Sequence, residues 1–217
     1  MLASLVSLLL TKHRGLFYSR FFLWGGFLGV FIILLNLIWQ FNHNWPVIHH
    51  LNELHANQLV NVSVAGFLFD QVMMNFPGFI IWITALIALL FWKRLANYRV
   101  LGYIYLSILL ILLVASGKAY YTLGVYPVLF ALGGYVIASS FRAYVGYGML
   151  VLTLLLSIPM LPLSLPVYSH ERIAAYTRPV APFVNRWEDG QIYNIPQDFA
   201  DMTGWKQLNE IVMDFYF

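Results

Sequence analysis

Long apolar runs dominate the chain, and its polar residues gather between them. Phe21–Phe41, Val100–Ser116, Ala119–Ser140 and Tyr144–Val167 are each long and apolar enough to cross a bilayer, which takes about 20 residues (range about 17–25). A fifth run, Phe76–Trp92, has 17 uncharged residues and carries Pro77 at its start. Its polar approach, Asp70, Gln71 and Asn75, is expected at the membrane interface. Met1–Thr11 is apolar but too short to cross. A signal peptide has its positive charge ahead of the apolar stretch, whereas here Lys12 and Arg14 follow it. Met1–Leu10 therefore reads as the end of a span or as an interfacial helix.

Composition narrows the class. Of 217 residues, 61% are hydrophobic and 10% charged, with mean hydropathy +0.74; soluble domains are about 45–50% apolar and about 25% charged. A water-soluble globule would have to expose the excess. An 18% aromatic content is the reverse of a disordered composition. With no cysteine there is no disulfide framework, thiolate metal site or cysteine nucleophile.

The net charge is +3, and seven of the twelve Lys/Arg residues lie in three short connections. These are Lys12, Arg14 and Arg20 before the first full span, Lys93, Arg94 and Arg99 after the second, and Arg142 between the fourth and fifth. Five spans put all seven on one side, which the positive-inside rule makes cytoplasmic. The opposite side receives residues 42–75, which hold no Lys or Arg, the Ser116-Gly117-Lys118 turn, and the tail after Val167. Such a distribution is topological and does not point to nucleic acid.

The expected fold is an all-α polytopic membrane protein. A transmembrane domain, 1–167, has about five helices (21–41, 76–92, 100–116, 119–140, 144–167) and an interfacial segment, 42–75, with an outer helix near Trp45–Leu59. Residues 168–217 form an extracytoplasmic tail with four basic and seven acidic residues. Pro179, Pro182 and Gly190 break its first part into loops. From Gly204 a helix is predicted, with Trp205, Leu208, Ile211, Val212 and Phe215 at helical spacing and Thr203 as its cap. Its bare apolar end, Phe215-Tyr216-Phe217, reads as the cut end of a longer protein, so the tail is expected to begin a truncated soluble domain. Gly25, Gly26 and Gly29 give the first full span a smooth face for close helix packing, against another span of this chain or in a homodimer. Asn36 and Gln40 share a face of that span and call for hydrogen-bond partners. No internal repeat appears and no span core carries an ionisable residue, which argues against a transporter.

Candidate chemistry is sparse. Lys118, flanked by Gly117, Tyr120 and Tyr121, has two readings. It meets a phosphate as a point charge with the tyrosine hydroxyls as extra donors, or it snorkels to headgroups within a tyrosine belt. His43, His49, His50, Glu53 and His55 lie in the outer segment. With His49 and Glu53 one helical turn apart, a divalent metal is one reading, and the wet face of a surface helix is the other. Asp70 is the lone acid close to a span; a general base in the outer cavity is one reading, and the more ordinary one is a polar group at a helix terminus or in a hydrogen bond. No paired carboxylates, phosphate-binding glycine loop or Ser-His-Asp set occurs, so no residue is assigned as catalytic and no cofactor is required.

Three stretches carry a resemblance. Leu35-Asn36-Leu37-Ile38-Trp39-Gln40 with His43-Asn44-Trp45-Pro46 resembles P-N-L-x-W-Q…H-G-W-P, departing at Leu35 and Asn44. Gly117-Lys118-Ala119-Tyr120-Tyr121 with Tyr126-Pro127 resembles G-K-x-Y-Y…Y-P. The run from Ile195-Pro196-Gln197 through Asp201-Met202-Thr203-Gly204-Trp205 resembles L-P-Q-x-x-A-D-M-x-G-W. In this order the chain is similar to bacterial family 39 glycosyltransferases, relatives of the dolichyl-phosphate-mannose–protein mannosyltransferases and lipid A aminoarabinose transferases. The resemblance implies a GT-C membrane fold in a bacterial inner membrane, with the C-terminus outside. It implies an inverting transfer of a sugar from a polyprenyl-phosphate carrier to a lipid or protein acceptor. It also implies that Lys118, Tyr120 and Tyr121 contact the carrier phosphate. The family's catalytic acid lies in an early outer loop that nothing here matches, so the chain is expected to be a C-terminal membrane portion, inactive alone. The alternative is a non-catalytic scaffold or accessory subunit in envelope assembly.

Overall fold

The computed structural model describes residues 2–216; Met1 and Phe217, the outermost residues of the opening apolar stretch and of the tail helix, lie outside the described residues. The chain is an all-α polytopic membrane protein. Among the described residues β-pairing amounts to one isolated bridge, Arg186 to Ile192. The helices are α1 (Leu2–Leu9), α2 (Arg20–Asn42), α3 (Pro46–Asn57), α4 (Val64–Met73), α5 (Phe79–Phe91), α6 (Arg99–Val114), α7 (Tyr126–Ser140) and α8 (Ala143–Ser157). They are followed by α9 (Leu161–Ser164), α10 (His170–Thr177), α11 (Ala181–Val184), α12 (Gln197–Asp201) and α13 (Trp205–Tyr216). Among the described residues four stretches are long and apolar enough to span: Arg20–Asn42, Lys93–Val114, Ala119–Ser140 and Ala143–Ser164. The chain divides into two compact units, Met1–Gly146 and Tyr147–Phe217, with the boundary inside α8.

The second predicted span departs from a straight helix. Alone, α5 has 13 residues, about 20 Å of helix against a hydrocarbon core of about 30 Å. Val64–Met73, expected within the interfacial segment, joins it as a bent pair at 71°. The cause is local. Pro77 lacks an N–H and cannot continue the helical ladder, and a short 3₁₀ turn, Phe76–Gly78, takes up the bend. Gly78 in that turn leaves room for α7, because a Cβ there would lie 2.6 Å from the Phe130 ring.

The core of the first unit lies where α5, α6 and α7 meet. Trp82, Tyr105 and Tyr126 pack as a ring trio with centroids 5.4–6.0 Å apart, and Ala85, Leu89 and Leu129 are fully buried. The opening segment, read as a span end or an interfacial helix, packs as α1 along α6. There Ser7 Oγ lies 3.2 Å from Ser107 Oγ, so two hydroxyls satisfy each other inside an apolar interface.

Two expectations for α2 meet a different arrangement. Its 23 residues bury none of their side chains, and a Cβ on Gly25, Gly26 or Gly29 would meet nothing within 4 Å. That smooth face has no partner among the described residues of this chain. A helix apolar all round belongs in lipid or in a larger apolar core. Gln40 makes a connection at the helix end and not a span-to-span bond. Its Oε1 accepts from Val47 N–H at 3.2 Å and its carbonyl from Trp45 N–H at 2.8 Å. It thereby caps the start of α3, for which the left-handed Trp45 supplies no side-chain cap.

The contacts give the first unit two chemically distinct ends. Lys12 donates to Asn97 Oδ1, which joins the Lys12–Tyr18 turn to the Lys93–Tyr98 turn. At the other end Gln58 and Gln71 reach the 118–122 turn. The cationic turns thus sit together, and the Lys/Arg-poor segment shares its end with Lys118. Because the chain has no cysteine, single introduced cysteines can report sidedness. Tyr121→Cys and Gly124→Cys should react with a membrane-impermeant maleimide from one face, and Arg94→Cys and Arg142→Cys only from the other. Labelling of all four from one face would contradict this arrangement.

The second unit is built by the third motif. Phe199 is buried, Ile195 O accepts from the Trp187 indole at 2.9 Å, and Gln197 Oε1 accepts from Glu188 N–H at 2.8 Å. Asn185 donates to Thr177 Oγ1 at 3.0 Å, and Tyr176 OH to Pro159 O at 2.8 Å. Thr203 does not cap the terminal helix as expected. Its hydroxyl donates to Ala200 O and lies 3.2 Å from His170 Nε2. Gly204 takes the cap position instead, at φ +87°, a left-handed conformation that glycine adopts without strain. Burial, then the charges of Asp201 and Glu188, hold the Asp198 carboxyl above the usual carboxylate range.

Candidate functional site

The turn between α6 and α7 is fixed from both sides. Ser116, two residues past α6, turns the chain at φ +50°, and Gly117 N–H donates to Leu112 O at 2.7 Å. Gly117 is buried so tightly that a Cβ would lie 2.7 Å from Leu112 Cδ2. Lys118 follows in extended backbone and leads into the 3₁₀ turn Ala119–Val125. The small residue before Lys118 thus lets the chain double back closely past the last turn of α6.

Lys118 is half-buried. Its ammonium donates to Gln58 Oε1 and lies 5.7 Å from the centroid of the Tyr120 ring, within cation–π range. Tyr121 meets Tyr120 edge-on, with centroids 4.8 Å apart, and both tyrosines are about half exposed. Long flexible lysines lose rotamer freedom when fixed. Here an amide oxygen and a ring face hold the ammonium near one place.

Beneath the turn a polar cluster ties it to α4. Gln71 is 3% exposed; its Oε1 accepts from Thr122 Oγ1 at 2.7 Å and Tyr126 OH at 2.9 Å, and its Nε2 donates to Ala119 O at 3.4 Å. Tyr126 OH also lies 3.2 Å from Tyr105 OH. Buried amides in lipid need such partners, and these carry the position of Ala119, next to Lys118, into the aromatic core.

Of the residues singled out in the sequence, the structure brings together Lys118, Tyr120 and Tyr121. It adds Gln58, Gln71 and Thr122, which sequence reading did not place at the site. Their signal was faint: Gln58 stands in a polar stretch among Glu53, His55, Asn57 and Asn61, and Gln71 directly follows Asp70. Asp70 precedes Gln71 but lies on the exposed side of α4. His49 and Glu53 are exposed on α3, and His49 is nine residues before Gln58, about 13 Å along a helix. Among the described residues no group of three or more His, Asp or Glu side chains is placed to hold a metal ion.

The fold and this turn define a multi-pass membrane protein with a half-buried lysine–tyrosine site at one end of its helices. The chain matches no family model, no curated protein and no solved structure.

Proposed function

We propose that this chain is part of an integral-membrane glycosyltransferase of the bacterial inner membrane. It moves a sugar from a polyprenyl-phosphate carrier to a lipid or protein acceptor on the extracytoplasmic face, and the C-terminus lies on that face. The observation that carries the reading is the held ammonium of Lys118, at the end of the helices away from the other cationic turns.

Chemically the fit is direct. Transfer breaks the bond between the anomeric carbon and the carrier phosphate oxygen as an acceptor oxygen bonds to that carbon from the opposite side. The departing phosphate gains negative charge as its bond to the sugar breaks. An ammonium already in place stabilises that charge without reorganising, and does so more strongly where water is scarce. Tyr120 and Tyr121 supply hydroxyl donors beside it, and Gln58 orients the ammonium. The part assigned to this chain is holding the carrier; no residue is assigned the acid–base step.

Purified protein in nanodiscs should bind polyprenyl phosphate saturably and the neutral polyprenol weakly. Equal binding of the two lipids would remove the phosphate from the reading and leave a hydrophobic lipid surface.

A further inference from the structure

A groove opens between α5 and α7 at the end that carries the cationic turns. Gly133 brings α7 against α5 at Ile81. Beyond that contact the two helices line a shallow, open apolar hollow of about 410 Å³. Ala88 and Val136, both buried, form its floor, and Ile87, Phe91, Trp92 and Phe141 its sides. The hydroxyl of Thr84, at its inner end, is already bonded to Ile80 O at 2.6 Å.

From Thr84 to Phe91 the groove follows α5 for about 10 Å, within one leaflet of about 15 Å. Its outer end carries charge. Lys93 and Arg94 follow Trp92, the Arg94 guanidinium lies 5.5 Å from the Trp92 ring centroid, and Arg142 follows Phe141. Acid to match them is scarce. Between Gln71 and His170 the sequence has no Asp or Glu, and Met1–Gly146 holds eight Lys/Arg against Glu53 and Asp70 alone. Both acids belong to the segment that meets Lys118, at the opposite end.

We propose that this groove holds one acyl chain of an anionic phospholipid, with its phosphate at Arg94 and Arg142. The apolar walls take the chain at leaflet depth, Trp92 sits at headgroup level as interfacial tryptophans do, and guanidinium forks match phosphate geometry. This site is independent of the Lys118 reading, which concerns the other end of the helices and a different lipid.

Native mass spectrometry of the purified full chain, titrated with palmitoyl-oleoyl phosphatidylglycerol or the matching phosphatidylcholine, tests it. Wild type should bind the phosphatidylglycerol more tightly. Arg94→Gln with Arg142→Gln, both exposed and safe for folding, should weaken phosphatidylglycerol about 30-fold and leave phosphatidylcholine unchanged. Ala88→Leu, which fills the floor, should weaken both. Equal wild-type affinity for the two lipids, or unchanged phosphatidylglycerol binding in the double variant, would overturn the proposal. Unchanged binding in a folded Ala88→Leu protein would place the lipid elsewhere and overturn it as well.

Discussion

Replacing Gly133 with alanine is expected to destabilise the first unit by about 3 kcal/mol or more, beyond the usual about 1–3 kcal/mol for overpacking. A Cβ on Gly133 would lie 2.1 Å from Ile81 O and 2.9 Å from Ile81 Cγ2. The first obstacle is backbone, so no side-chain rotation relieves it, and α5 and α7 must move apart. That separation would also loosen the Trp82–Tyr126 contact. The neighbouring glycine is the control, since a Cβ on Gly134 meets nothing within 4 Å. Gly134→Ala should be neutral or stabilising by up to about 1 kcal/mol, the helix-propensity difference. Unfolding of both variants in detergent, followed by circular dichroism, separates them; equal midpoints would contradict the close approach.

Tyr126→Ala should cost at the lower end of about 3–5 kcal/mol, the range for removing a large aromatic side chain from a core. Tyr126 is 1% exposed and touches the rings of Trp82, Tyr105 and Phe130. Within a bilayer the lost term is mainly packing, since lipid tails solvate apolar groups as well as a protein core does. Tyr126→Phe keeps the ring and loses only the hydroxyl's bonds to Gln71 and Tyr105. Hydrogen bonds between membrane helices average about 0.6 kcal/mol, with about 1.7 as the largest, so Tyr126→Phe should fall in that range. Equal losses in the two variants would mean that the polar network, and not the ring packing, holds the α6–α7 end.

Hydropathy made most spans legible, because about 20 apolar residues in succession have few other uses. It placed α2 and α6 within two residues of their ends, while the runs 119–140 and 144–167 also take in the 3₁₀ turns Ala119–Val125 before α7 and Ile158–Met160 after α8. It did not show that Val64–Met73 joins α5 across a bend, since a polar approach of Asp70, Gln71 and Asn75 looks interfacial until Gln71 is seen to be bonded from α7's leading turn. The glycine signal did not say which partner its face takes. Gly25 and Gly29 have the spacing of a packing face and meet nothing among the described residues of this chain, whereas Gly133, with Gly134 beside it, packs directly against Ile81. Spacing along one helix says nothing of which face a neighbour takes. At the site, Lys118 and its tyrosines were readable because charge is rare in such a chain. Gln58 and Gln71 were not, because their partners lie 60 and 51 residues away, and no local pattern encodes those distances.

The most direct test of the carrier-phosphate reading is the affinity of purified protein for polyprenyl phosphate with and without the Lys118 ammonium. Lys118→Ala should weaken binding by roughly 1.5–3 kcal/mol, the range for a hydrogen bond to a charged group, or about 10- to 150-fold. Lys118→Arg should keep part of the affinity, since charge survives while geometry changes. Tyr121→Phe should cost less, about 0.5–1.5 kcal/mol for a neutral hydrogen bond. If Lys118 serves only to anchor the helix end among headgroups, wild type and Lys118→Ala will bind polyprenyl phosphate equally, and that equality would contradict the account.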